Sequence, residues 1–158
     1  MNQEIRAYVR LEARVSGAFS FFINGMVAAL IYHKADTVPF DSVSIAADLL
    51  VTCVVMVTLT AYFARASLER TGTSGIYKSD SRFLRYTSLL FRRRFLFGPL
   101  AGILVAVLCF LLIAPVPALL HMERISFGGY IVFKTGFTAV LGYSLTRLEL
   151  YAGMNRIG

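Results

Sequence analysis

Long apolar blocks alternate with shorter polar stretches along the chain. Four of the blocks have about the length, roughly 17–25 residues, that a helix needs to cross the hydrocarbon layer of a bilayer. A soluble helix would instead repeat polar residues every third or fourth position. The pattern predicts an all-α integral membrane protein with four transmembrane helices in one membrane domain, residues 1–158. The predicted spans are about 15–32, 44–64, 95–114 and 127–145, and the long connection is 65–94.

Two polar stretches have the character of helices that lie in the membrane surface. The first fourteen residues repeat arginine every four positions, so the arginines share one helical face. In the 65–94 connection, aromatic and aliphatic residues alternate with arginines, a pattern that also occurs in nucleic-acid-binding segments. Beside apolar spans we expect interfacial amphipathic helices instead, one before span 1 and one before span 3. The side chains expected to contact anionic headgroups are Arg6, Arg10, Arg14, Arg82, Arg85, Arg92, Arg93 and Arg94.

Lysine and arginine are unevenly distributed among the polar stretches. Three lie before span 1, eight in the 65–94 connection and two after span 4, whereas the other two connections have one each, Lys34 and Arg124. In membrane proteins the cytoplasmic loops carry the excess of positive charge. We therefore expect both termini in the cytoplasm, and we expect the protein in a bacterial inner (plasma) membrane. The same asymmetry accounts for most of the net charge of +7, and no nucleic-acid partner is expected.

Three of the four predicted spans contain polar side chains at helical spacing. Ser16, Ser20 and Asn24 share a face of span 1, and a second four-residue repeat occupies span 2. Because polar groups are costly in lipid, these faces are expected to turn toward each other or toward another subunit. Span 3 has no polar residue other than Cys109 after its first turns, so we expect it to be the most lipid-exposed or the outer packing helix. The candidates for a substrate or ion pathway are Asn24, Asp48, Thr52, Tyr130, Lys134 and Thr138.

Lys134 is the strongest single signal, because a lysine at the centre of a membrane helix costs about 2.5–3.5 kcal/mol to insert. Its side chain leans toward the N-terminus of span 4, and Asp48 enters span 2 from the same side. The depths of the two residues are compatible with an ion pair. Simpler interpretations remain open: Asp48 as a first-turn acid, Asn24 as an interhelical hydrogen bond, and Lys134 as a structural ion-pair partner or a lysine that extends to the membrane surface.

No arrangement of nucleophile, base and acid is recognisable, so no enzyme is expected. The two histidines and two cysteines lack ligand spacing, and neither a metal nor a cofactor is expected. The leading hypothesis is a transport-related protein, permease- or channel-like, with an intramembrane polar centre. Because four spans leave little room for a pathway, we expect a homo-oligomer. The alternative is a non-catalytic accessory or assembly subunit of a larger membrane complex.

Overall fold

The computed structural model describes residues 3–76, 81–92, 96–120 and 122–155, and it is mostly helical (84%). Within this part of the chain, three helices are long and apolar enough to cross a membrane, namely Gln3–Tyr32, Ser42–Thr71 and Phe97–Pro117. The elements are α1 (Gln3–Tyr32), β1 (Thr37–Pro39), α2 (Ser42–Thr71), α3 (Arg82–Arg92), α4 (Phe97–Ile113), α5 (Pro115–Leu120), β2 (Arg124–Ser126) and α6 (Phe127–Met154).

Three helices extend beyond the spans that the sequence predicts. The amphipathic segment before span 1 is not a separate helix, because α1 runs unbroken from Gln3 to Tyr32 and no proline or turn residue interrupts it at Arg14. Helix α2 continues past residue 64 to Thr71, where Gly72 ends it in the left-handed conformation with φ of 64°. Helix α6 likewise continues past residue 145 to Met154. In each case the charged residues beyond the apolar block are good helix formers.

The long helices form a row in the order α1, α6, α2, α4. Glycines permit the close contacts within the row. A Cβ on Gly102 of α4 would lie 2.5 Å from the Cα of Val54 on α2, and one on Gly98 would lie 2.8 Å from the Cα of Thr58. Small residues at a contact between two helices permit this close approach of their backbones. Helix α4 stands at one end of the row, as expected for the most apolar span.

A short antiparallel ribbon joins the two connections at one end of the molecule. Strands β1 and β2 pair Thr37 with Ser126, Val38 with Ile125 and Pro39 with Arg124. The Arg124 guanidinium also donates to the Thr37 hydroxyl at 2.8 Å. The ribbon holds the first turns of α2 and α6 side by side. We refer to this end as the ribbon end and to the opposite end, where α6 finishes at Met154, as the tail end.

A separate amphipathic helix, α3, does precede α4 at the tail end. It buries Ser88 and Phe91, and the Ser88 hydroxyl accepts a hydrogen bond from Asn155 at 3.0 Å. Its outer face exposes Phe83 and Tyr86 among arginines. Helix α3 therefore packs against the end of α6, and its aromatic and basic outer face stays exposed.

Candidate functional site

One face of α6 is buried along nearly its whole length. Its members are spaced by three or four residues, which places them on one side of the helix. We call this face the α6 stripe; it consists of Lys134, Thr138, Gly142, Leu145 and Glu149, all buried. The stripe has an ionisable residue near each end and none between them.

At the ribbon end, Lys134 forms an ion pair with Asp48 of α2, which is one of the arrangements that the sequence leaves open. The Lys134 ammonium also donates to the Thr52 hydroxyl at 2.6 Å, one turn further along α2. The Lys134 residue is 6% exposed, whereas the Asp48 side chain is 33% exposed. Three donors on the ammonium thus meet carboxylate and hydroxyl oxygens, which is the arrangement that makes a buried charge tolerable.

The first turns of the two helices have caps of their own. Asp41 caps α2 by accepting from the backbone N–H groups of Val43 and Ser44, each at 3.0 Å, and the Ser44 hydroxyl donates to it at 2.7 Å. The Ser44 hydroxyl is the main cause that lowers the pKa of Asp41. Ser126 caps α6 by accepting from Gly129 N–H at 3.2 Å. Because α2 begins at Ser42 and has no acidic residue in its first turn, the interpretation of Asp48 as a first-turn acid is wrong.

The other candidate residues lie around the ion pair. Thr138 donates to the carbonyl of Lys134 at 2.8 Å, within its own helix. The amide of Asn24 donates to the Ser20 carbonyl at 3.0 Å on α1 and approaches the Met56 sulfur at 3.8 Å on α2. Tyr130 stacks edge-on against Tyr32, with ring centroids 5.2 Å apart. The roles of these residues in a pathway stay predictions.

A groove separates α1 from α2, and α6 forms its floor. Its portion next to the ion pair is a cavity of about 300 Å³ lined by Asn24, Thr52, Tyr130, Lys134 and apolar residues of α1 and α2. A second cavity of about 390 Å³ adjoins it toward the tail end and ends at Glu12 and Arg70. We call the two cavities together the interhelical groove. Its rim residues Phe19, Val51 and Phe63 are 59%, 65% and 57% exposed, so the groove opens sideways between the helices.

The groove is closed at the ribbon end. Val38 of β1 and Phe40, which follows the strand, are both buried. Only a cavity of about 50 Å³ lies between these two side chains and Asp48. Asp48 and Tyr130 line both this small cavity and the interhelical groove. The ion pair therefore lies at the boundary between the closed ribbon end and the open groove.

At the tail end, the α6 stripe finishes with Glu149, which the sequence analysis did not select. The residue is 1% exposed, and one of its carboxyl oxygens is 3.0 Å from the Thr60 hydroxyl of α2. It was missed because the predicted span ended at residue 145 and placed Glu149 in water. The signal was present in the four-residue spacing from Leu145, which continues the stripe by one turn.

The arginines proposed to contact headgroups are exposed wherever their side chains are described. Arg6, Arg10 and Arg14 lie on the tail-end part of α1, and Arg82 and Arg85 lie on α3. The side chain of Arg92 and the residues 93–95, which include Arg93 and Arg94, lie outside the described residues. The exposed arginines thus cluster at the tail end, away from the ion pair.

No protein-family model, curated protein or solved structure matches the chain. The fold and the site therefore define the class to which the protein is assigned: a helical protein whose long apolar helices suit a membrane and whose polar side chains are collected between them.

Proposed function

We propose that the chain is a small transport-related membrane protein, permease- or channel-like, in which the Lys134–Asp48 pair binds the charged group of a solute. The observation that carries the proposal is the position of this buried pair at the closed end of a groove that opens sideways. A purely structural ion pair needs no adjoining cavity of about 300 Å³. A small number of polar groups in a mostly apolar cleft is typical of sites for small molecules.

In this proposal α1, α2, α4 and α6 are four spans in a bacterial inner membrane, with both termini in the cytoplasm. Helix α6 crosses the bilayer despite its charges because α1 and α2 cover its polar stripe. The bias of lysine and arginine toward the tail end supports the orientation. The exposed arginines of α1 and α3 then lie at the cytoplasmic surface, where anionic headgroups attract them.

The lining of the groove points to an amphipathic anion as the solute. Phe19, Val51 and Phe63 provide an apolar wall. Among the described residues, Lys134 is the only cation that lines the cavity next to Asp48. An anionic group competes with Asp48 for the ammonium, and the exchange between the two partners gates passage. Because one side of the groove is open, a second copy of the chain completes the wall in the membrane.

Uptake by reconstituted liposomes tests the proposal. The probe is a radiolabelled alkyl sulfonate, whose headgroup stays ionised and crosses bilayers poorly by itself. Saturable uptake is expected with the wild type, loss of uptake with Lys134→Met, and altered affinity with Asp48→Asn. Lys34→Met, the same substitution at an exposed position, is the matched control and should retain uptake. Unchanged uptake in both site variants would remove the proposed site.

The open side of the groove also favours a second candidate function. A non-catalytic accessory subunit would place a helix of a larger membrane protein against the exposed faces of α1 and α2, which include Phe22 and Leu59. Mass measurement of the intact protein after gentle extraction separates the two functions. A homo-oligomer without other chains supports transport, and a partner present in fixed ratio supports the accessory role.

A further inference from the structure

The tail end of the α6 stripe contains a carboxyl group with unusual surroundings. Glu149 is 1% exposed, and its only hydrogen-bond contact among the described residues joins Oε1 to the Thr60 hydroxyl at 3.0 Å. Its second oxygen, Oε2, is buried and forms no hydrogen bond with any described residue. An ionised carboxylate in such a place is costly unless it is both paired and hydrogen-bonded.

One cation acts on Glu149, but it does not hydrogen-bond the buried oxygen Oε2. The cation that acts on Glu149 from α2 is Arg65, but one of its nitrogens donates to the Phe91 carbonyl and its guanidinium lies over the Phe91 ring at 4.5 Å. On α6 itself, the Arg147 guanidinium lies over the Tyr143 ring at 5.5 Å.

In the part of the chain that the structure describes, Arg65 is the only cation that acts on this carboxyl group. Helix α1 contributes the acid Glu12, which accepts from Ser67, and the phenol of Tyr8, which contacts the same hydroxyl. Helix α3 contributes the ring of Phe91. Neither Arg65 nor Arg147 hydrogen-bonds Oε2.

The contact with Thr60 indicates where a proton resides. A threonine hydroxyl has one hydrogen to donate. The Thr60 hydroxyl donates to the Met56 carbonyl at 2.9 Å and also toward Oε1 of Glu149 at 3.0 Å. One hydrogen is therefore shared between two acceptors unless the carboxyl group carries its own proton and donates it to the Thr60 oxygen. The neutral acid satisfies both contacts, whereas the carboxylate leaves two acceptors sharing one donor.

We propose that Glu149 is a proton-binding site, which holds a proton at neutral pH and exchanges it with the interhelical groove through Thr60. Thr60 lines both cavities of the groove and contacts Glu149, so it stands between the carboxyl group and the groove. The coupling of this proton to solute movement rests on the proposed function. The binding of the proton rests on the geometry of Glu149 alone.

Labelling with dicyclohexylcarbodiimide tests the protonation directly. The O–H of a carboxylic acid adds across one C=N bond of this lipid-soluble reagent, and its proton passes to that nitrogen. The acyl group then moves from oxygen to the other nitrogen, so the residue gains the whole mass of the reagent. A carboxylate that has lost its proton does not start this reaction. Peptide mass spectrometry of the full-length protein is expected to find the adduct at Glu149 at about pH 7, well above the ordinary glutamate pKa of about 4.3. The yield should fall as the pH is raised.

Asp48 is the internal reference for the labelling and is expected to stay unlabelled, because both of its carboxyl oxygens accept hydrogen bonds from the Lys134 ammonium. In Lys134→Met the cation is lost, and Asp48 should then become labelled. Exposed Glu69 should stay unlabelled in every variant at this pH. Labelling of Glu69 to the same extent as Glu149 would show that the reagent does not report burial, and it would overturn the interpretation of the adduct as a sign of a held proton.

Stability as a function of pH provides a measurement that does not depend on access of the reagent. The folded protein would hold a proton that the unfolded chain releases above about pH 4.3, so stability should fall as pH rises, by up to about tenfold in the unfolding equilibrium constant per pH unit. Glu149→Gln should remove this part of the pH dependence. Absence of the adduct together with equal pH dependence in wild type and Glu149→Gln overturns the proposal. Neither measurement involves transport, so a failed uptake experiment leaves this result intact.

Discussion

The two ends of the α6 stripe hold their ionisable residues in opposite ways. Near the ribbon end, Lys134 meets the Asp48 carboxylate and the Thr52 hydroxyl. At the tail end, Glu149 has one hydroxyl contact and an oxygen without a hydrogen-bond partner in the described residues. The two positions are about 22 Å apart along the helix, since fifteen residues separate them at 1.5 Å each. Both side chains are buried, so burial alone does not explain the difference.

The comparison shows that the partner on α2 decides what each end can do. Asp48 gives Lys134 an opposite charge, and because the Asp48 side chain is one-third exposed, the groove reaches the pair. Thr60 gives Glu149 only a neutral hydroxyl, which suits a neutral acid better than a carboxylate. One end therefore suits the exchange of charged partners, and the other suits the storage of a proton.

The largest expected effect comes from changing the carboxylate at the ribbon end to an amide. Asp48→Asn leaves the Lys134 ammonium buried without its counter-charge and should lower the free energy of unfolding by about 3 kcal/mol. Unfolding in mixed detergent micelles measures the change. Lys134→Met should cost less, because the Asp48 carboxylate that remains is partly exposed to solvent.

The double variant Lys134→Met with Asp48→Asn is the control for this first prediction. It removes both charges and should recover most of the loss, so that the double-mutant cycle gives a large coupling between the two sites. Losses that simply add would mean that Lys134 and Asp48 do not stabilise each other, and the contrast between the two ends would disappear.

The middle of the stripe should respond next most strongly. A Cβ on Gly142 would lie 3.0 Å from the Cβ of Ser20 on α1, whereas a Cβ on Gly136 has no neighbour within 4 Å. Gly142→Leu should push α1 away from α6 and cost about 2 kcal/mol, which is typical of an overpacked contact. Gly136→Leu is the matched control and should be neutral or slightly stabilising, because leucine favours a helix. Equal losses in the two variants would mean that α1 does not press on the stripe.

Part of this arrangement was accessible from the sequence, because it depends on spacing and depth. Asp48 and Lys134 occupy similar depths on helices that start at the same side, so an ion pair between them was one of the possibilities open from the sequence, and the structure contains it. Glu149 was not accessible in this way, because the prediction assumed that the helix ends where the apolar block ends. Side chains of α2 and α3 bury the charged turn beyond Leu145, and only their tertiary packing reveals it.

The ribbon and the groove were also outside the reach of the sequence. Strands of three residues are too short to display the alternation that identifies a strand, and the hydrogen bonds of β1 are made with residues far along the chain. The groove exists because α1 and α2 both pack on α6 but scarcely on each other. Such a gap depends on which helices are neighbours. The polar residues Asn24 and Thr52 indicated only that their faces of α1 and α2 would turn inward.

The ribbon end should depend on its helix cap to a smaller extent. Ser126→Ala removes the hydroxyl that accepts from Gly129 N–H and should cost about 1 kcal/mol. The loss due to the cap itself is the difference in thermal unfolding between Ser126→Ala and Ser144→Ala, which makes the same change at an exposed serine within α6. If the cap also positions Lys134, the coupling between Lys134 and Asp48 should weaken in the Ser126→Ala background. A coupling that is unchanged would restrict the cap to a local role.

The smallest expected effect sharpens the comparison most, because it repeats the first chemical change at the other end. Glu149→Gln also converts a carboxyl group to an amide, and the amide N–H can replace the acid O–H as the donor to Thr60. The change in the free energy of unfolding at neutral pH should therefore stay within about 1 kcal/mol, against about 3 kcal/mol for Asp48→Asn. Thr60→Val, which removes the acceptor, should cost more than Glu149→Gln. A loss at Glu149 as large as the loss at Asp48 would mean that Glu149 is ionised and paired, and the two ends of the stripe would then be alike.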